Sequence, residues 1–351
     1  MNRSISFTLF LFIILAFHSC LWDAGKEIEV NNKPFNNYDS QGRPLLSNTS
    51  ELVILIPDIQ NYTHFEQYNK ILEIIIDRII EINGAGYKVK AVVQVGDVTE
   101  TNSPEEWKVA KKKFNKLDSV KINYILTTGN HDYGNSGITD SRQTYFNECF
   151  DFSNQSSFQQ CYRDSLYENS LFEISIQGKP FQIIALEFGP RKKILEWVDK
   201  VIDKNKTSML ITHAYLFGDK ERFNWKESAK SQYVSPYNYA YQSRNFGGED
   251  IDVNDGEDLW QKLIYPHGNI RFVCCGHKMD PYIGNLISKN IQDKDVLQML
   301  FNTQSFANGG DGWIQIFEFK NDKKTMDVKT YSCLYNEWNT SPTHQYAFIY
   351  D

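Results

Sequence analysis

The sequence predicts an α/β fold, and three features carry that expectation. Short apolar runs of strand length stand at residues 51–57, 89–95 and 121–128. Helical signals separate them. Each run closes on a polar cluster: Asp58-Ile59-Gln60, then Gly96-Asp97-Val98-Thr99-Glu100, then Gly129-Asn130-His131-Asp132. Parallel strands joined by helices all point one way, so the three clusters meet at one sheet edge, where open α/β sheets place their chemistry.

The elements follow in order. Between residues 66 and 82, Tyr68, Ile71, Leu72, Ile75, Ile76, Ile79 and Ile80 recur at three- and four-residue spacing, and Gly84 and Gly86 end the pattern as C-cap residues do. Ser103 caps the next helix, with Pro104 at its first position and Glu106 at the capping-box position, and the helix runs to about Leu117. In the third strand Ile122, Tyr124, Ile125 and Leu126 are apolar, and Gly129 permits the sharp turn that stops it. Residues 133–170 are polar and aromatic without periodicity, which reads as an insertion near the mouth of a site.

Strand signals resume at 171–176 and 181–186, and Pro190 opens a helix through Trp197. Arg191 reads as a solvated arginine at the start of that helix, with a phosphate contact as the alternative. Residues 208–211 form another short strand ending in Thr212-His213-Ala214-Tyr215. A long segment from 215 to 257 follows, with tyrosines at 233, 237, 239 and 241; it is read as a folded lid or as a stacking surface for a base or sugar. A helix near 259–263, the strand 270–274 and Gly276-His277-Lys278-Met279 come next, and strands near 297–301, 313–319 and 326–331 close the chain.

Composition sets the class. The 351 residues are 41% hydrophobic and 14% aromatic, as in a globular chain with a substantial core. A net charge of -7 argues against general nucleic-acid binding. At the amino terminus Arg3 precedes about 13 uncharged, mostly apolar residues, 5–17, a length suited to a signal peptide and short for a membrane span. Residues 15–20 resemble a bacterial lipobox with Cys20 as the acylated residue, and cleavage without a lipid is the alternative. The expectation is a signal peptide over 1–19, a tether or irregular lead-in over 20–50 and one domain over 51–351, exported to the periplasm or cell surface. Cys149 and Cys161 flank a polar stretch and are candidates for a disulfide, whereas Cys274 and Cys275 would point to opposite faces of a strand.

Taken together, Asp58, Gln60, Asp97, Asn130, His131, His213 and His277 stand at the ends of five strands, read here as one sheet. Carboxylates, amides and imidazoles form a mixed donor set suited to Zn, Mn or Fe.

The ordered motifs PDIQ, GDVTE, GNHD, THAY and GH resemble the calcineurin-like metallophosphoesterase family, and the Gln in the first motif, with LEFGPR at 186–191, is similar to an exported bacterial branch of it. The resemblance implies a two-sheet β-sandwich flanked by helices, an α/β/β/α arrangement, with two divalent or trivalent ions at the strand ends. Asp97 would bridge them, Asp58 and Gln60 would serve the first, and Asn130, His213 and His277 the second. His131 would stabilise phosphoryl charge or protonate the leaving group, and Asp132 would orient it. Two cations about 3.5–4 Å apart hold a hydroxide at neutral pH and clamp phosphate oxygens, so the implied reaction is hydrolysis of a phosphomonoester or phosphodiester. The expected partner is a small phosphorylated substrate, with a nucleotide-like one as a candidate.

Three residues depart from the family pattern. Gln60 and Met279 stand where histidines would serve the first ion, so that position is expected to bind weakly, take extra water or recruit Asp280. Glu100 replaces an aspartate in a place that more often supports the loop. The rival implication is a surface binding module that keeps the fold with little or no hydrolysis.

Overall fold

Alternation along the later strands decides the architecture. The computed structural model describes residues 28–163, 165–228, 232–239 and 253–350; the expected signal peptide, Cys20 and Tyr241 lie outside them. On four neighbouring strands Ile183, Met209, Phe272, Cys274, Leu297, Met299 and Phe301 face one apolar core. Their neighbours Ile184, Leu210, Val273, Cys275, Val296 and Leu300 face another. A sheet buried on both faces needs a layer on each side.

The strands are β1 (Glu51–Ile56), β2 (Lys88–Gln94), β3 (Asn123–Leu126), β4 (Phe158–Cys161), β5 (Ser170–Ile176), β6 (Lys179–Ala185), β7 (Thr207–Ile211), β8 (Leu216–Gly218) and β9 (Glu221–Arg222). The rest are β10 (Ile270–Cys275), β11 (Ile283–Lys289), β12 (Asp295–Phe301), β13 (Trp313–Phe319), β14 (Thr325–Ser332), β15 (Glu337–Asn339) and β16 (Tyr346–Ile349). One sheet runs β15-β14-β13-β1-β2-β3, with β16 beside β14; the other runs β11-β12-β10-β7-β6-β5-β4. Their inner faces meet, with the Phe319 ring 5.5 Å from Phe181 and 5.8 Å from Phe272. The five polar clusters are therefore divided between two sheets, three on one and two on the other, rather than carried by one. The sequence pattern shows strand direction but not which strands hydrogen-bond, so it could not separate them.

The helices that matter are α1 (Gln60–His64), α2 (Asn69–Gly84), α3 (Pro104–Ser119), α4 (Phe146–Cys149) and α5 (Lys192–Val201). In α3 the Ser103 side chain accepts from the Glu106 N–H, the expected cap. The buried stripe of α2, Ile71, Leu72, Ile75, Ile76 and Ile79, packs with α3 over the first sheet, and Ile194, Leu195 and Val198 of α5 cover the second. Four layers result, helix, sheet, sheet, helix. Residues 28–50 have little regular structure but are docked: the Asn31 N–H donates to Leu334 O, and the Phe35 ring packs against Tyr87, Tyr331 and Trp338.

Two sequence expectations change here. The stretch 133–170 does more than stand near the site mouth: the Thr139 hydroxyl donates to Asn130 O at 2.5 Å, while Phe146, Phe150 and Phe152 are fully buried with Trp107, Phe114 and Tyr124 at the edge of the sandwich. An irregular segment buries aromatic rings without any period, so a period search passes over it. Cys149 and Cys161 also remain thiols. Cys149 ends α4, and the Cys161 thiol donates to Arg163 O.

The aromatic group makes a clear stability prediction. Phe150→Ala removes a fully buried ring touching five others and should lower the unfolding free energy by about 3–5 kcal/mol in a denaturant titration. A loss under about 1 kcal/mol would mean that the segment can collapse onto the gap.

Candidate metal centre

The carboxyl ends of β1, β2, β3, β7 and β10 come together at one edge of the sandwich. At the end of β2 the Gln94 side chain ties two loops, donating to Pro57 O at 3.2 Å and Gly96 O at 2.6 Å. Asp97 follows in the left-handed region at φ 50°, an uncommon backbone for a residue with a Cβ. Gly129 makes this possible. A Cβ there would lie 2.1 Å from Asp97 Oδ1 and 2.3 Å from Asp97 N.

Asp97 is buried between loops from both sheets. Its Oδ1 accepts the His131 backbone N–H at 3.0 Å. Its Oδ2 lies 3.1 Å from His213 Nε2 and 3.2 Å from the Gln60 amide nitrogen. Two imidazoles are held by backbone carbonyls, His213 Nδ1 at 2.8 Å from Val95 O and His277 Nε2 at 2.8 Å from Val234 O. A carbonyl can only accept, so those nitrogens carry the protons and the opposite nitrogens are turned inward. His213 Nε2 and His277 Nδ1 are 3.1 Å apart, and Asn130 Oδ1 is 3.2 Å from His213 Nε2. One ligand atom each from Asp97, His213 and His277 lies within 4.8 Å of the others, a spacing one cation could span.

Titratable groups are crowded at this edge and shift one another. Burial and the Asp97 charge push the Asp58 carboxyl well up, despite the opposing pull of His213. Burial also acts on Asp97, but His213 outweighs it and holds that carboxyl below its usual range. His213 is pushed up to about 9, because Asp97 and Asp58 overcome its burial. His277 falls to about 3 through burial and its charged neighbour His213. His213 and His131 are both held toward the charged form and His277 toward the neutral one, so the buried Asp97 carboxylate draws positive charge to this edge, a role a bound cation also fills.

Asp97, Asn130, His213 and His277 are thus assembled as one group. Asp58 and Gln60 stand beside it: Asp58 Oδ2 accepts the His277 N–H at 2.9 Å, while Asp58 Oδ1 and Gln60 Oε1 are buried with no hydrogen-bond partner. His131 sits on the rim, its side chain 32% exposed.

Asp132 makes no hydrogen bond to the His131 ring, although its charge is among those that raise the ring's affinity for a proton. Its carboxylate accepts from the backbone of Val98, Thr99 and Gly129 and from the Thr99 hydroxyl, all within 3.1 Å, and so pins the β2 loop to the β3 loop. His131 Nδ1 instead faces Glu100, 3.0 Å from its backbone O and 3.6 Å from its carboxylate. Arg191 is not solvated either. It makes a two-pronged pair with the fully buried Glu187, both contacts at 2.7 Å.

Other neighbours escaped the sequence reading. Asn302 donates to Asp58 Oδ2 at 2.6 Å, and Gln304 donates to Met279 Sδ at 3.0 Å, whereas Asp280 is exposed. The signal was available, since Asn302-Thr303-Gln304 is a polar cluster at the end of β12, which is parallel to β10. The backbone carbonyl of Val234 had no such signal.

The family model for calcineurin-like phosphoesterases matches residues 52–281. The chain is 24% identical over 300 residues to an uncharacterised protein, YvnB, of Bacillus subtilis (strain 168), a match covering 82% of this chain. It spans 20% of that relative's length. Among solved structures it is similar to a 5'-nucleotidase precursor from Thermus thermophilus, with a TM-score of 0.39 and 11% identity over 86% of this chain and 54% of that one. It is also similar to the Thermus thermophilus sulfate thiohydrolase SoxB in complex with glycerol, with a TM-score of 0.38 and 11% identity over 75% of this chain and 42% of that one.

The close approach at Gly129 can be tested. Gly129→Ala should displace the Asp97 loop, lower stability by about 1–3 kcal/mol and reduce the metal bound per chain, read by thermal unfolding and elemental analysis. Unchanged metal content would show that Asp97 does not depend on this contact.

Proposed function

The chain belongs to the calcineurin-like phosphoesterase family, and from that premise we propose that it hydrolyses a small phosphomonoester or phosphodiester at a two-cation centre. The observation that carries this reading is the convergence of His213 Nε2, His277 Nδ1, Asp97 Oδ2 and Asn130 Oδ1 from loops of both sheets. Asp97, Asn130, His213 and His277 would hold one ion, and Asp58, Gln60 and Asp97 the other. The orphaned Asp58 Oδ1 and Gln60 Oε1 fit such a role. When bound, the ions supply Lewis-acid activation of water and offset phosphate charge.

The rest is done by the chain's own groups. With Nδ1–H of His131 donating to Glu100 O, Nε2 carries the second proton whenever the ring is charged. Burial opposes that charged form, but Asp97 and Glu100 outweigh it and raise the ring's affinity for the proton. A charged, rim-exposed imidazole suits contact with a phosphoryl oxygen or proton delivery to a leaving oxygen. Asp132 keeps the loop bearing His131 fixed to the loop bearing Asp97. The second reading, a binding module without turnover, is favoured by Gln60 and the 48% exposed Met279 at imidazole positions.

The test uses chromogenic phosphomonoester and phosphodiester substrates with added Mn²⁺, Zn²⁺ or Fe²⁺. His131→Ala should lower turnover by about 10²–10⁴-fold with bound metal unchanged, and Asp97→Ala should lose both turnover and metal. Full activity in either variant would sink the assignment, and metal binding without turnover under any supply would favour the binding module.

A further inference from the structure

The nitrogen donors of the centre all lie on one side. His213 Nε2 and His277 Nδ1 meet there with Asn130 Oδ1, whereas the neighbourhood of Asp58 contains Gln60, Asn302, Gln304 and Met279. Asp58 Oδ2 is already engaged by two donors, the His277 N–H and the Asn302 amide, which aims Oδ1 elsewhere. A Cβ on Gly276 would lie 1.9 Å from that Oδ1, so the glycine keeps room for it. Asp58 Oδ1, Gln60 Oε1 and Gln304 Oε1 are all buried atoms with no hydrogen-bond partner. Asp58 is 1% exposed and Gln60 2%. Gln304 belongs to the same edge, since its backbone O accepts the amide of Asn61, next to Gln60, and its N–H donates to Oδ1 of Asn302, the Asp58 partner. A buried oxygen left without a donor costs about 1–3 kcal/mol, and oxygens so left are what a cation with oxygen ligands satisfies. Met279 offers only a thioether, a soft donor, and its sulfur is occupied in accepting the Gln304 amide at 3.0 Å.

We infer that the two metal positions differ in donor chemistry: the position beside Asp58 is an all-oxygen site for a hard divalent cation such as Mn²⁺, Mg²⁺ or Ca²⁺, with the Gln304 amide standing in for a missing imidazole. The inference rests on the two-cation reading above. Its ligands are Asp58 Oδ1, Gln60 Oε1, the shared Asp97 carboxylate and Gln304, with water for the remaining places, as hard cations accept. Zinc or iron belongs to the imidazole side, where nitrogen donors suit it.

The test follows binding rather than turnover. The full chain is stripped of metal and titrated with Zn²⁺ and then Mn²⁺, with bound metal measured by equilibrium dialysis and elemental analysis and Mn²⁺ followed by electron paramagnetic resonance. One tight zinc per chain is expected, with Mn²⁺ filling the other position of the zinc-loaded protein. Gln60→Leu and Gln304→Ala should each weaken Mn²⁺ by about 10- to 100-fold while the zinc stoichiometry is retained, which also reports a folded chain. Gln60→His combined with Met279→His should gain a second tight zinc. Two equally tight zinc ions in the unaltered chain, or unchanged Mn²⁺ affinity in both single variants, would overturn the inference and leave the phosphoesterase reading standing. No metal at either position, with no hydrolysis, would remove both.

Discussion

Everything at the working edge of this sandwich depends on the burial of one carboxylate. Asp97 is 2% exposed, and a buried charge is tolerated only when paired and hydrogen-bonded. The first sheet supplies the His131 N–H, and the second supplies His213, whose other nitrogen returns to Val95 O on the Asp97 loop. The pairing therefore crosses from one sheet to the other. Its geometry requires a left-handed Asp97 and a residue without a side chain at Gly129, so the loops after β2, β3 and β7 are adjusted to one another.

The cover over the imidazole side is a second consequence. Val234 O holds His277, and the Tyr239 ring stands edge-on to Phe188 at 4.9 Å, with Phe223 and Val253 buried in the same apolar group. Beneath it, Arg142 donates to the carbonyls of Phe188 and Gly189, while Arg142 and Arg191 both pair with Glu187. A buried ion pair contributes less to stability than to fixing one conformation, and the conformation fixed here is the turn on which the cover rests. The tyrosines of this segment have separate tasks: Tyr237 donates to Asp258 at 2.7 Å, whereas Tyr233 is 65% exposed. The centre is thus enclosed by rings on the His277 side and lined by amides on the Asp58 side.

How much of this was legible follows from the range of each signal. Apolar runs and their periods mark β1, β2, β3 and the helices between them, because burial of one face is written into adjacent residues. Polar clusters directly after β1, β2, β3, β7 and β10 mark Asp58, Asp97, Asn130, His131, His213 and His277, because a parallel strand delivers its carboxyl end to the site. The same rule extends to Asn302 and Gln304 after β12, whose partner strand β10 carries His277. What it could not extend to is contact between elements. Asp132 adjoins His131 in sequence, yet its carboxylate is taken by the N–H groups of Val98 and Thr99, more than thirty residues away.

The α/β alternation, the order of the site-bearing loops and the donor types at their tips are all set by local residue choice and can be read along the chain. Tertiary structure alone decided that the loops come from two sheets, that Glu100 rather than Asp132 faces His131, and that Arg191 is buried against Glu187. It also decided that Gln304 meets Met279. These are matters of which groups share a space after packing, and hydrogen bonds and charge pairs between distant segments leave no period or motif in the chain that forms them.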